Sequence, residues 1–175
     1  MGKQTALHGH LPDGDSGLIS KAGPQVTVSE ITDMNLFQLS AFARQMKECA
    51  AFLNKHSGIA SLPALSSSIR GTAAVVMRAE PTKFWVASRQ SVMTTLPALT
   101  ALNRMCALDL AVAQGAFLAT GMHHVPVHIY CRSKAVFDVM IPRSFGLSIT
   151  HSLCKTSQQF GLRVTASTRW TLPRL

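Results

Sequence analysis

The run VFDVMIPRSFG at residues 136–146 decides how this chain is read. Val136 to Ile141 alternate apolar and polar side chains as a strand does. Pro142 lacks the amide hydrogen that a strand ladder needs, so the strand ends there. The Ser144 hydroxyl is placed to accept from the free amides in the first turn of a following helix. Beyond it, Ile149, Leu153 and Phe160 recur on one helical face, and Gly161 supplies a left-handed residue to close the helix. One junction thus predicts a strand on one side and a helix on the other.

Working outward, Val125 to Cys131 pairs with 136–141 as a hairpin turning about Arg132, Ser133 and Lys134. Thr72 to Ala79 and Phe84 to Ala87 form another hairpin, closed by Glu80 to Lys83, and Thr95 can cap a helix over Ala98, Leu99, Leu102, Met105 and Cys106, with Pro97 tolerated in its first turn. The order β-β-α therefore occurs twice. The predicted fold is α+β: repeated β-β-α units in an antiparallel sheet with helices on one face. Upstream, Val26 and Val28 make a short strand and Asn35 to Leu39 another. Phe42, Met46, Cys49 and Leu53 then follow at helical spacing up to Gly58, and Pro63 with the Ser66 to Ser68 run marks residues 59–71 as a surface connection. Residues 1–24, rich in Gly, Pro and Asp, read as a flexible tail. The expected domain is 25–165, in halves of about 25–108 and 109–165, with an edge strand at Leu162 to Thr165 and a C-terminal tail at 166–175.

Charge is unevenly spread. Residues 1–58 hold five basic and five acidic side chains, whereas 59–175 hold twelve and three, which is the whole net charge of +9. A field of that sign attracts phosphates, anionic lipid or an acidic protein face. The basic residues stand singly, with no Lys/Arg run and no RNP or zinc-finger pattern, so an acidic protein partner explains them more simply than nucleic acid. The apolar share of 47% against 14% charged is high, and suits either surface hidden by partners or an ordinary well-filled core. Cys49, Cys106, Cys131 and Cys154 are widely spaced with no C-x-x-C, as reduced thiols of a cytoplasmic protein would be. Residues 110–131 lack Asp and Glu after Asp109 and lack Lys and Arg, but Gln114, two glycines, Pro126 and three histidines argue against a membrane span.

Chemistry is sparse. His123, His124 and His128 with Cys131 are the one cluster of ligand-type residues, and on a strand positions four apart lie roughly 13 Å from each other, too far for one tetrahedral ion. The histidines read instead as amphipathic surface or interface residues of a half-exposed strand. There is no G-x-S-x-G, G-x-G-x-x-G or phosphate-binding G-x-x-x-x-G-K-[ST] motif. Asp109 reads as a turn or cap acceptor and Asp138 as a solvent-facing residue of an edge strand. Arg143, held between Pro142 and a capped helix, is either preorganised to grip a carboxylate or a solvated arginine near a helix start. No catalytic, cofactor-binding or metal-binding residue is expected; the partner-interface candidates are Arg143, Phe145, His124 and His128.

The order and spacing of Cys106-Ala-Leu-Asp-Leu110, Phe117, Gly121, Val125-Pro126, Phe137-Asp138, Ile141-Pro-Arg-Ser-Phe145, Leu153 and Phe160-Gly161 resemble the gamma-subunit family of heterotetrameric sarcosine oxidase. Residues 25–42 and 83–86 resemble it more faintly. Two departures stand out: only Ser88 to Met105 separate the Trp85 strand from the Cys106 run, where the family has a further hairpin, and Met105 stands where the family has glycine. The resemblance implies a fold similar to a folate-binding aminomethyltransferase domain and a chain without catalytic residues. It further implies a large folate- and dinucleotide-binding subunit, a flavin-bearing subunit and a small zinc subunit as partners. FAD, FMN, NAD, tetrahydrofolate and zinc would reside in those partners and none in this chain. N-methylglutamate dehydrogenase has similar subunits, so the implied substrate of the assembly is an N-methyl amino acid. A basic RNA-binding module and a stand-alone folate-binding transferase are the other readings the sequence leaves open.

Overall fold

The computed structural model describes residues 5–88 and 113–172. Two stretches of the same build organise it. In the first, strand β4 (Asn35–Ser40) leads through a 3-10 turn at Ala43–Gln45 into helix α1 (Met46–Ser57); in the second, β10 (Val136–Met140) leads through a 3-10 turn at Arg143–Phe145 into α2 (Gly146–Ser157). Helix α1 stops because Gly58 takes φ 71°, ψ 27°, a left-handed conformation that glycine adopts without steric cost. A Cβ at Gly58 would also lie 2.1 Å from the Thr72 hydroxyl. Gly161, with φ 74°, closes the second stretch as expected, after a further 3-10 turn at Gln158–Phe160.

Strand β4 is the edge of a four-stranded antiparallel sheet, followed in space by β7 (Lys83–Ser88), β6 (Val75–Glu80) and β5 (Ser67–Arg70). Strand β10 is the edge of a three-stranded antiparallel sheet with β9 (Val125–Ser133) and β8 (Phe117–Met122). An isolated bridge between Ser67 and Ala116, with the Phe117 amide donating to the Ser66 carbonyl at 2.9 Å, joins the two sheets.

Side-chain alternation along these strands builds a layered core. On β6, Val76 faces α1, where it packs with Cys49, Leu53, Ile59 and Phe84. Its neighbours Val75 and Met77 face the other way, against Phe117, Tyr130 and Trp170. On β9, Val127, Ile129 and Cys131 face α2 and meet Ile149. The α+β class and the paired hairpins are as the sequence predicts. The Ser67–Ala116 bridge joins the two sheets edge to edge, and its register puts Val76 and Ile129, and with them α1 and α2, on the one outer face the sequence predicts, while Phe117, Tyr130 and Trp170 are enclosed on the inner face. Buried on two faces, a strand such as β6 reads as an unbroken apolar run, and Ala74 to Met77 are all 3% exposed or less. Much of the apolar surplus in the sequence is thus core.

Both segments read as tails carry strands. Strand β1 (Gly14–Ser16) pairs antiparallel with β11 (Leu162–Val164), which runs parallel to β2 (Val26–Val28). Strand β12 (Thr168–Arg169) runs parallel to β3 (Ile31–Thr32), and Trp170 just beyond it is buried. The connection at 59–71 contains β5, and the span 110–131 contains β8, neither of which shows a clear apolar period. The helix expected over 95–106 lies outside the described residues.

Candidate functional site

The Pro142 corner was expected to carry a Ser144 cap, and here the structure differs. Pro142 sits at φ −56°, ψ 134°, and the Phe145 amide donates to its carbonyl at 2.9 Å, closing a 3-10 turn. That turn delays the α-helix to Gly146, so Ser144 lies inside the turn and no side chain caps α2. Ser148 instead donates its hydroxyl hydrogen to the Phe145 carbonyl at 3.1 Å. The corner is rigid without a cap, because proline restricts φ and the turn supplies its own hydrogen bond. It presents Arg143 outward and leaves Phe145 44% exposed.

The histidines separate. His123 and His124 form the two-residue turn between β8 and β9, both exposed and both left-handed, with φ 48° and 66°. This is the backbone of a type I′ hairpin, in which histidine is tolerated better than most residues. His128, on β9, is half buried. Its ring stacks on Phe117 at 5.3 Å and lies 4.9 Å from Trp85, and burial lowers its pKa, against an opposing pull from Glu80. It packs on the inner face as a neutral ring, away from the turn that holds His124. Cys131 donates to the Ser133 carbonyl at 3.3 Å, and burial raises the pKa of the Cys49 and Cys131 thiols and pushes Cys154 up to about 11. Among the described residues, no three His, Cys, Asp or Glu side chains gather as a metal site.

Asp138 overturns its expected place at the surface. It is 2% exposed and faces Trp170, whose indole N–H donates to Oδ2 at 3.2 Å. Arg132, expected in a hairpin turn, is instead the penultimate residue of β9 and is 6% exposed, with Nε 3.7 Å from the same oxygen. Its guanidinium also donates to the Thr171 carbonyl and lies 5.7 Å from the Trp170 ring. Burial pushes the Asp138 carboxyl up to about 6, against the opposing pull of Arg132 and the Trp170 hydrogen bond. This buried cluster ties the β9–β10 hairpin to the C-terminal segment. One sequence signal could have found it: an acid between Phe137 and Val139, in a strand without other charge, is a residue to pair rather than to solvate.

The comparisons bear on the fold. No family model matches the sequence, and no curated protein matches it. Solved structures do match. A chain of the heterotetrameric sarcosine oxidase of Corynebacterium sp. U-96, in complex with pyrrole 2-carboxylate, superposes with a TM-score of 0.66 at 18% identity, over 81% of this chain and 88% of that chain. The same superposition covers a larger share of that chain, which is therefore somewhat the shorter of the two. No helix among the described residues is long and apolar enough to cross a membrane. This chain therefore has the fold of a chain of heterotetrameric sarcosine oxidase, the complex whose gamma-subunit family its sequence resembles.

Proposed function

We propose that this chain is a non-catalytic, gamma-type subunit of a multisubunit flavoenzyme that oxidatively demethylates an N-methyl amino acid, of the sarcosine oxidase or N-methylglutamate dehydrogenase type. The observation that carries the reading is the fold likeness over 88% of a chain from a heterotetramer, which coincides with a resemblance read independently from motif order. Its role is assembly. Phe37, Phe42, Phe52 and Phe145 are each at least 44% exposed, and exposed aromatic side chains of this kind are the anchors of protein interfaces. The partners are a large folate- and dinucleotide-binding subunit, a flavin-bearing subunit and a small zinc subunit. Those partners hold FAD, FMN, NAD, tetrahydrofolate and zinc. The basic half of the chain faces an acidic surface on one of them.

The test is purification of the tagged chain from its native cell. A flavoprotein should co-purify in fixed ratio, and the recovered complex should oxidise an N-methyl amino acid with release of the methyl carbon as formaldehyde or its folate adduct. Recovery of a stable monomer with no flavoprotein attached would overturn the reading.

A further inference from the structure

Strand β4 ends the row of seven strands that the Ser67–Ala116 bridge links, and β10 ends it on the other side. The two ends are built differently. Strand β10 carries a register break between Val136 and Phe137 and a buried acid, Asp138, devices by which proteins keep an edge from pairing. Strand β4, Asn-Leu-Phe-Gln-Leu-Ser, has no charge, no proline and an unbroken register with β7 over all six residues. Its edge is unguarded. The groups it leaves free can be assigned. The Ala41 amide donates to the Thr82 carbonyl at 2.9 Å, one pair beyond Ser40 and Lys83. Bonded pairs alternate along an antiparallel ladder, so Phe37 and Leu39 bond β7, and the N–H and C=O groups of Leu36, Gln38 and Ser40 point away from it. Gln38 and Ser40 are exposed, and Phe37 between them and Leu36 is 57% exposed. Past the end of the strand, Arg44 and Lys47 are exposed and belong to no ion pair among the described residues, with Glu48 the one acid in that turn.

We infer that an extended segment of a partner subunit adds to β4 as an eighth strand, with an acidic residue where it passes Arg44 and Lys47. This rests on the subunit reading and goes further by naming the kind of contact. A row of free backbone donors and acceptors is matched by another extended backbone, and by neither a helix nor a flat surface of side chains. An apolar side chain of the added segment lies across from Phe37 on the same face and covers it. The acid, opposite two cations, fixes which end of the segment lies beside Ser40.

Hydrogen exchange, resolved to single residues by mass spectrometry, compares the free full-length chain with the complex purified on it. The amides of Gln38 and Ser40 should exchange at least about ten-fold more slowly in the complex, whereas those of Phe37 and Leu39, already bonded to β7, should change less. Gln38→Pro removes one outward N–H, which an edge strand tolerates, and should weaken assembly at least about ten-fold while the free chain stays folded. Arg44→Glu combined with Lys47→Glu should also weaken assembly, by a factor that shrinks as salt is added. Unslowed exchange at Gln38 and Ser40 in a complex that does form, or undiminished assembly by either folded variant, would overturn the inference and leave the subunit reading standing. A chain that recovers no flavoprotein overturns both. The same two amides slowed in a homodimer would overturn it in favour of a second copy of this chain. The exchange measurement decides on the unaltered chain even if a variant does not fold.

Discussion

The β4–α1 stretch and the β10–α2 stretch match element for element with a shift of one hundred positions: Met46 and Gly146 open the helices, and Ser57 and Ser157 close them, both buried. Their interiors differ. Leu53 is 1% exposed in an apolar interface between α1 and its sheet, whereas Leu153, its counterpart, is only partly buried and borders a cavity beside Asp138. Phe37, Phe42 and Phe52 are exposed in the first stretch and Phe145 in the second. The same local build thus yields a dry interface where a helix covers only its own sheet. It yields a polar, cavity-bearing interior where chain segments from both ends overlie the edge strand.

The sharpest way to break this contrast is to remove a charge from the second interior. An Arg132→Ala change should cost about 3–5 kcal/mol, because it strands Asp138 as a buried charge, read as a large fall in the urea midpoint. Replacing both partners with apolar residues should recover most of that loss, and a double variant as unstable as the single one would show that the pair is not what Arg132 supports. Next, Leu53→Ala should cost about 2–5 kcal/mol and the matched Leu153→Ala about 1–2 kcal/mol, since a side chain already beside open space loses fewer contacts. Equal losses would erase the distinction between the two interiors.

Acidity separates the stretches further. The folded Asp138 carboxyl titrates near 6 against an ordinary 3.8, so the unfolded chain gives up this proton first. Its contribution to stability is full below about pH 4 and is lost as pH rises through about 6, on the order of 3 kcal/mol at most. Asp15, exposed and bonded to Arg163 at 2.7 Å, has its pKa lowered by that hydrogen bond and acts in the opposite sense. Comparing urea midpoints at pH 4 and pH 7 with those of Asp138→Asn isolates the buried group, and an unchanged pH profile in the variant would contradict the assignment. The smallest expected effect on the isolated fold is that of Arg143→Ala, under about 1 kcal/mol for an exposed arginine. In the assembled complex the same change should cost roughly 2–5 kcal/mol and lower recovery by size exclusion. Unchanged recovery would make Arg143 a solvated residue of the corner.

The sequence by itself determined the local pieces. The β-type run that includes Val75–Glu80 and the alternation through Val136–Met140 specified strands, Pro142 ended one of them, Gly58 and Gly161 ended helical stretches, and the spacing of Cys49 and Leu53 specified the buried face of α1. Each of these depends on backbone sterics or on periodicity within a few residues. Tertiary structure decided the rest. Strands of two or three residues such as β1, β3 and β12 have too few positions to show a period, and exist only because partners from the far end of the chain pair with them. Whether Asp138 faces water or Trp170 depends on what lies over β10, and a residue thirty-two positions away supplies that cover. Which layers enclose β6 is likewise invisible to local patterning, because a strand buried on both faces shows only a continuous apolar run, and that run is the same whichever layer comes to cover it.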